Sequence, residues 1–308
     1  MTGPHVSYDE FGLFHENAIE HGLPFVEPPV VCRESVELPD GRHLSALVWG
    51  PSPPEVVFVH GGAQNAHTWD TTIMALGRSA IAIDLAGHGH SDWRPDGIYA
   101  PVTFAADVAV AVQVLAPQAA IMVGMSMGGL TSMEFAAHHG SQMAGLMMVD
   151  ITPGVNREKA AAVVAFVDGP QSFDSFEVLL ARTKQHNPTR SESSLRRGIL
   201  HNARQLDDGT WVWRYDRGSH SRSTLPEPGP SDDLSSAMSP LWDDFAAIAC
   251  PIVLVRGSLS PVVDDDDVAE ALRRQPGLRV EVVDGAGHSV QGDRPLELAA
   301  LIESMLAD

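Results

Sequence analysis

Ser126 lies between two glycines in Gly124-Met125-Ser126-Met127-Gly128. A serine hydroxyl is a weak nucleophile at neutral pH. It needs a positioned base, and donors that meet the charge developing on the attacked oxygen. The flanking residues supply a setting for both. The apolar run Ala120–Val123 reads as a strand and the run from Gly129 as a helix, so the serine falls on the turn between them. G-x-S-x-G in strand–turn–helix context presents Oγ at the end of a sheet. Glycines suit such a turn because a Cβ would collide with neighbouring backbone. The start of the next helix adds free N–H groups and the positive end of a dipole.

The chain holds 14 histidines, so the base is chosen by context. His288 closes Gly285-Ala286-Gly287-His288, just after the strand-like run Arg279–Val283. A short Gly-rich loop there can swing an imidazole over the serine turn. His88 and His90 sit in another Gly-rich loop and are weaker candidates for catalysis.

Four ordered motifs give the sequence a resemblance to the α/β-hydrolase superfamily, from about residue 34 onward. They are His60-Gly61-Gly62, the loop Asp84-Leu85-Ala86-Gly87-His88-Gly89-His90-Ser91-Asp92, Gly124–Gly128 and Gly285–His288. The resemblance implies an α/β fold with an eight-stranded, mostly parallel sheet and a Ser–acid–His triad. It also implies backbone N–H donors at Gly62 and Met127, with His60 supporting the loop that carries the first of them. In most relatives the acid follows the seventh strand, in a G-x-x-D arrangement. Here that place reads Gly257-Ser258-Leu259-Ser260-Pro261, with no carboxylate. A subset that includes haloalkane dehalogenases and some lactonases and esterases carries the acid after the sixth strand. That position is Asp150, 24 residues beyond Ser126, which is one helix and one strand further on. Asp264 is the alternative, although the run Asp264–Asp267 is also what a helix N-terminus favours.

These residues require a scaffold of alternating strands and helices. Glu34–Leu38 and His43–Trp49 flank Asp40-Gly41 and read as a hairpin. Short β-branched runs follow at residues 55–60, 80–84, 119–123, 144–149, 251–255 and 279–283, with helical patterns between them. That alternation predicts a parallel sheet covered on both faces. The interval 153–247 is too long for a simple crossover and reads as an inserted, mainly helical cap between core segments 34–152 and 248–308. Residues 1–33 read as an arm packed on the body, because Phe11, Leu13, Phe14 and Phe25 are costly to leave wet. Pro226–Pro230 and Ser231–Ser239 read as loop. Met125, Trp211, Trp213 and Tyr215 are candidates for an apolar substrate pocket. For the three aromatics, packing of the cap on the body is the stronger expectation.

Composition narrows the function further. The 20 basic and 40 acidic residues give a net charge of −20, which repels nucleic acid and anionic membrane surfaces. No apolar stretch is long enough to span a membrane, and the N-terminus lacks a basic, apolar leader. The default location is therefore the cytoplasm. Cys32 and Cys250 form no framework. No metal-ligand spacing, phosphate loop or dinucleotide fingerprint occurs, so no cofactor and no metal are expected. The expected activity is cofactor-free serine hydrolysis of a small, apolar ester or lactone. Carbon–carbon bond hydrolysis on the same triad and a non-catalytic ligand-binding role stand as alternatives.

Overall fold

The hairpin expected at Pro39-Asp40-Gly41 forms, with Gly41 at φ 83° and seven paired residues on each strand. It opens a computed structural model that describes residues 6–140, 143–156, 158–217 and 240–307. Helix α1 (Phe14–His21) precedes β1 (Val31–Glu37) and β2 (His43–Trp49). Then come β3 (Val56–Val59), a 3-10 turn at Ala66–Trp69, α2 (Asp70–Leu76), β4 (Ala80–Ile83) and α3 (Pro101–Leu115). Next are β5 (Ile121–Met125), α4 (Met127–His138) and β6 (Gly145–Val149). A long segment follows, with α5 (Ala161–Val167), β7 (Ser172–Phe173), α6 (Phe176–His186), α7 (Glu192–Asn202), β8 (Ala203–Gln205) and β9 (Trp211–Trp213). The chain closes with α8 (Leu241–Ala247), β10 (Ile252–Gly257), α9 (Asp265–Arg274), β11 (Arg279–Val283), α10 (Val290–Asp293) and α11 (Pro295–Ala307).

Eight strands form one sheet in the order β1-β2-β4-β3-β5-β6-β10-β11. The β1–β2 and β2–β4 pairs are antiparallel and all others are parallel. The central strands are buried along their whole length, as the β-branched runs require of a sheet covered on both faces. One face packs on α3, α4 and α8 through Phe104, Met133 and Trp242. The other packs on α2 and α11 through Trp69, Ile73 and Leu298. Neighbouring strands β3, β5 and β6 thus bring the loops that carry Gly62, Ser126 and Asp150 to one end of the sheet.

In its described residues the segment between β6 and β10 is mainly helical, through α5, α6 and α7. It holds a three-stranded antiparallel sheet in the order β7-β9-β8. Its side chains Phe173, Leu179, Ile199, Trp211, Trp213 and Tyr215 build a separate apolar cluster. Helix α8, expected within the insert, packs instead on α4, with Trp242 and Phe245 buried in the main core. The loops at Pro226–Pro230 and Ser231–Ser239 lie outside the described residues.

Side chains of the N-terminal segment pack on both the sheet and the insert. Phe14 is buried against Trp49 at 5.1 Å between ring centroids. Burying such a ring contributes about 1.5–3 kcal/mol. Tyr8 and Leu13 join the apolar cluster of the insert, while Phe11 and Phe25 pack on the sheet side. Cys32 and Cys250 are free thiols. Among the described residues, no helix is long and apolar enough to cross a membrane.

Candidate active site

Ser126 is held at φ 53° and ψ −123° at the start of α4. The neighbouring glycines explain how that backbone fits. A Cβ on Gly124 would lie 2.3 Å from the Gly128 carbonyl oxygen, and one on Gly128 2.3 Å from the His60 and Val59 oxygens. Neither position has room for a side chain. Among the described residues, three non-glycines have positive φ: Ala63, Ser126 and Asp150. All three lie in the loops that meet at this end of the sheet. Such conformations cost on the order of 1–3 kcal/mol each and persist only where the surroundings enforce them.

The histidine loop after β11 completes the arrangement. His288 Nε2 lies 3.0 Å from Ser126 Oγ, and its Nδ1 lies 2.7 Å from Asp150 Oδ2. Asp150 is fully buried. Its Oδ1 accepts the Gly257 N–H at 3.0 Å, and its Oδ2 also accepts the Ser260 hydroxyl. A carboxylate that accepts at Nδ1 fixes the proton there and leaves the Nε2 lone pair facing Ser126. Asp264 is occupied elsewhere. It caps α9 by accepting the Asp267 N–H at 2.9 Å, and it pairs with Lys159 at 2.9 Å. Ser260 was not singled out by sequence as a functional residue. It stands after β10, where the acid is more usual, and contributes a donor to Asp150 instead.

The backbone of the loop after β3 lies beside the serine turn. The loop after β3 is close enough that a Cβ on Gly61 would sit 3.2 Å from Ser126 Cβ, and one on Gly62 3.1 Å from Met127 Cε. The N–H groups of Gly62 and Met127 have no acceptor among the described residues. The loop is braced from below. Gln64 Oε1 accepts the Gly61 N–H at 3.2 Å. His60 Nε2 accepts the Leu85 N–H at 2.9 Å, so its Nδ1–H donates to the Gly61 carbonyl at 2.7 Å. Burial and the nearby His88 push the His60 pKa down to about 3, which keeps it neutral. His88 Nε2 accepts the Ala63 N–H at 3.1 Å and stabilises that residue's left-handed backbone. Asn65 caps the 3-10 turn by accepting the His67 N–H, and its amide also donates to the His201 carbonyl in α7.

A cavity of about 130 Å³ adjoins these residues at Ala63, Gln64 and Ser289. It runs between the loop after β3, α1 and the α6–α7 pair, and its lining mixes polar groups with the apolar side chains of Ala63, Phe166, Leu195, Ile199 and Trp213. Met125 is buried beneath Gly61, at the inward-facing end of β5, and does not line the cavity. Of the three cap aromatics only Trp213 reaches it. Trp211 packs on Phe176 within the insert, whereas Tyr215 stacks on His88 and so packs the insert on the body.

Two clusters of metal-ligand residue types occur among the described residues, His67/Asp70/His201 and Glu134/His138/Asp244. In the first, the His67 and His201 rings stack at 3.8 Å and 11° between planes. Their lone pairs therefore run side by side rather than converging on one ion. His67 is instead bonded to Asp70 at 2.9 Å and to Glu10 of the arm at 3.1 Å. Burial opposes its charge, but the Asp70 carboxylate and both hydrogen bonds outweigh burial and raise its pKa to about 9. A raised folded-state pKa gives stability that is complete below the unfolded value near 6.5 and is lost as pH rises through 9. The melting temperature should accordingly fall between pH 6.5 and 9, and His67→Gln should flatten that fall. An equal slope in the variant would assign it to other groups.

The geometry can be set beside known proteins. A model of the alpha/beta hydrolase family matches residues 56–301. The chain belongs to the alpha/beta hydrolase family. Among relatives of this hydrolase, esterase Rv0045c of Mycobacterium tuberculosis is 42% identical over 305 residues, covering 97% of this chain and 96% of that protein. A crystal structure of that esterase superposes with a TM-score of 0.84, covering 98% of this chain and all of the other. The 2-(acetamidomethylene)succinate hydrolase of Mesorhizobium japonicum is 28% identical, covering 79% of this chain and 84% of its own.

Proposed function

We propose that this hydrolase is a serine esterase that cleaves a carboxylic ester through an acyl-enzyme. The observation that carries the proposal is the continuous hydrogen-bonded relay Ser126–His288–Asp150, set beside the unoccupied N–H groups of Gly62 and Met127. Ser126 Oγ attacks the ester carbon while His288 Nε2 takes its proton. The oxyanion is met by the Gly62 and Met127 N–H groups, each contributing about 10²–10³-fold in rate. His288 then protonates the leaving alcohol, and the same imidazole activates the water that releases the acid. Asp150 holds the tautomer and offsets the imidazolium charge. The segment between β6 and β10 acts as the cap that walls the substrate cavity. The 42% identity to an esterase favours an ester over other bonds. A lactone would follow the same steps with its leaving alcohol still tethered.

The test is a panel of p-nitrophenyl esters from acetate to hexanoate together with γ- and δ-lactones, followed on the millisecond scale. A burst of about one equivalent of nitrophenol before steady state is the expected sign of an acyl-enzyme. No turnover, combined with no labelling of Ser126 by a fluorophosphonate, would refute the proposal.

A further inference from the structure

Among the described residues, Arg190 on one wall of the cavity has no carboxylate within ion-pair distance, although Asp293 and Glu20 act on it from further away. Arg190 lies between α6 and α7, and its guanidinium packs against Gly292, where an added Cβ would come within 2.8 Å of Cζ. Its Nη2 donates to Ser194 Oγ at 2.7 Å, whereas its Nε is buried with no acceptor. Three other sheltered arginines are matched with carboxylates, whereas Arg182 and Arg214 bond to backbone carbonyls. Arg33 pairs with Asp84 at 2.7 Å, Arg42 with Asp107 at 2.9 Å, and Arg197 with Glu20. The acid of this region, Asp293, is taken up by the Gly287 N–H at 2.7 Å and the Thr189 hydroxyl at 3.0 Å. A sheltered charge without a partner is costly, and a guanidinium is the group best shaped to receive a carboxylate. The rest of the wall holds the Asp70 carboxylate, paired with His67 at 2.9 Å, and several neutral polar groups. Thr183, Asn187, Ser194, Asn17 and His21 supply hydroxyl, amide and imidazole groups. The cavity is lined by Ala63 and Ser289, the chain neighbours of Gly62 and His288, and the inference places one arm of the ester there. Its 130 Å³ has room for an arm of several heavy atoms, by the measure in which one water needs roughly 10–15 Å³. The net charge of −20 disfavours anions at long range, so this selection acts at contact.

We infer that Arg190 anchors a carboxylate of the substrate. Taken with the esterase reading above, on which it rests, this makes the substrate class an ester with a carboxylate a few bonds from the scissile carbonyl. Two matched pairs test it. Phenyl hydrogen succinate against phenyl butyrate places the carboxylate on the acyl arm. 4-Acetoxybutanoate against its methyl ester places it on the alcohol arm. In at least one pair the anionic-to-neutral ratio of kcat/KM should fall about 10- to 100-fold in Arg190→Gln, with partial recovery in Arg190→Lys. Calorimetric titration with succinate needs no turnover. It should show binding by the wild type that weakens at least about 10-fold in Arg190→Gln. Should that variant fail to fold, wild-type inhibition by succinate against succinamide decides, with succinate expected to be the stronger. Unchanged ratios in both pairs, or no preference for succinate over succinamide, would overturn the inference. Absent ester turnover with succinate binding intact would count against the esterase reading alone.

Discussion

Ser126→Ala should lower kcat/KM for every ester that the wild type turns over by about 10⁵- to 10⁶-fold. The size follows from what the hydroxyl does in the proposed mechanism. Without Oγ there is no covalent intermediate. What remains is substrate binding and two N–H donors acting on direct attack by water, which retains roughly 10³–10⁴-fold over the uncatalysed reaction. The fold should not suffer. Oγ makes one hydrogen bond, to His288, and alanine meets the same backbone constraint at φ 53° as serine does. The checks are kcat/KM on a p-nitrophenyl ester and a thermal melt of the same preparation. Residual activity above a few per cent in a folded variant would place the nucleophile elsewhere.

Asp150→Asn should cost about 10³- to 10⁴-fold in kcat, with little change in KM. The hydrogen bonds set the reason. The Gly257 N–H requires an acceptor at Oδ1, which orients an asparagine with its NH₂ in place of Oδ2. That NH₂ then faces His288 Nδ1, which must turn acceptor, and the ring's proton moves to Nε2. A protonated Nε2 cannot take the proton of Ser126. The matched control is Asp264→Asn. Asparagine still caps a helix, so activity should stay within a few-fold of wild type. A dead Asp264→Asn beside an active Asp150→Asn would transfer the acid's role to the helix cap.

Much of the sheet was legible in sequence because its strands are buried on both faces, and such strands write themselves as β-branched runs. Val56–Val59 and Ala80–Ile83 have no polar position to blur them. The serine turn was legible because its glycines answer to backbone contacts one turn away. Helix α1 was not, since it buries Phe14, Asn17 and Ala18 while leaving most of its surface half-wet, without a clean apolar stripe. Strands β7 and β8 have two and three residues, too few for any period to register. The polar part of the cavity's lining was hidden for another reason. Arg190, Asn17 and Gln64 are far apart in the chain and meet only through tertiary packing, whereas the apolar candidates lay next to recognisable motifs. Met125, one residue from the nucleophile, is buried in the core and does not line the cavity.

The left-handed backbone at Ala63, Ser126 and Asp150 also bears on how this protein can be engineered. Glycine would relax each of these positions, and relaxing a strained residue is an accessible route to a higher melting temperature. Two of the three are also the side chains on which turnover is proposed to depend. A thermostability library screened only for survival of heat would therefore tend to enrich folded, inactive variants at 126 and 150. Residue 63 is the exception. There alone the backbone gain and the chemistry are separable, and a heat screen paired with an ester readout should find it.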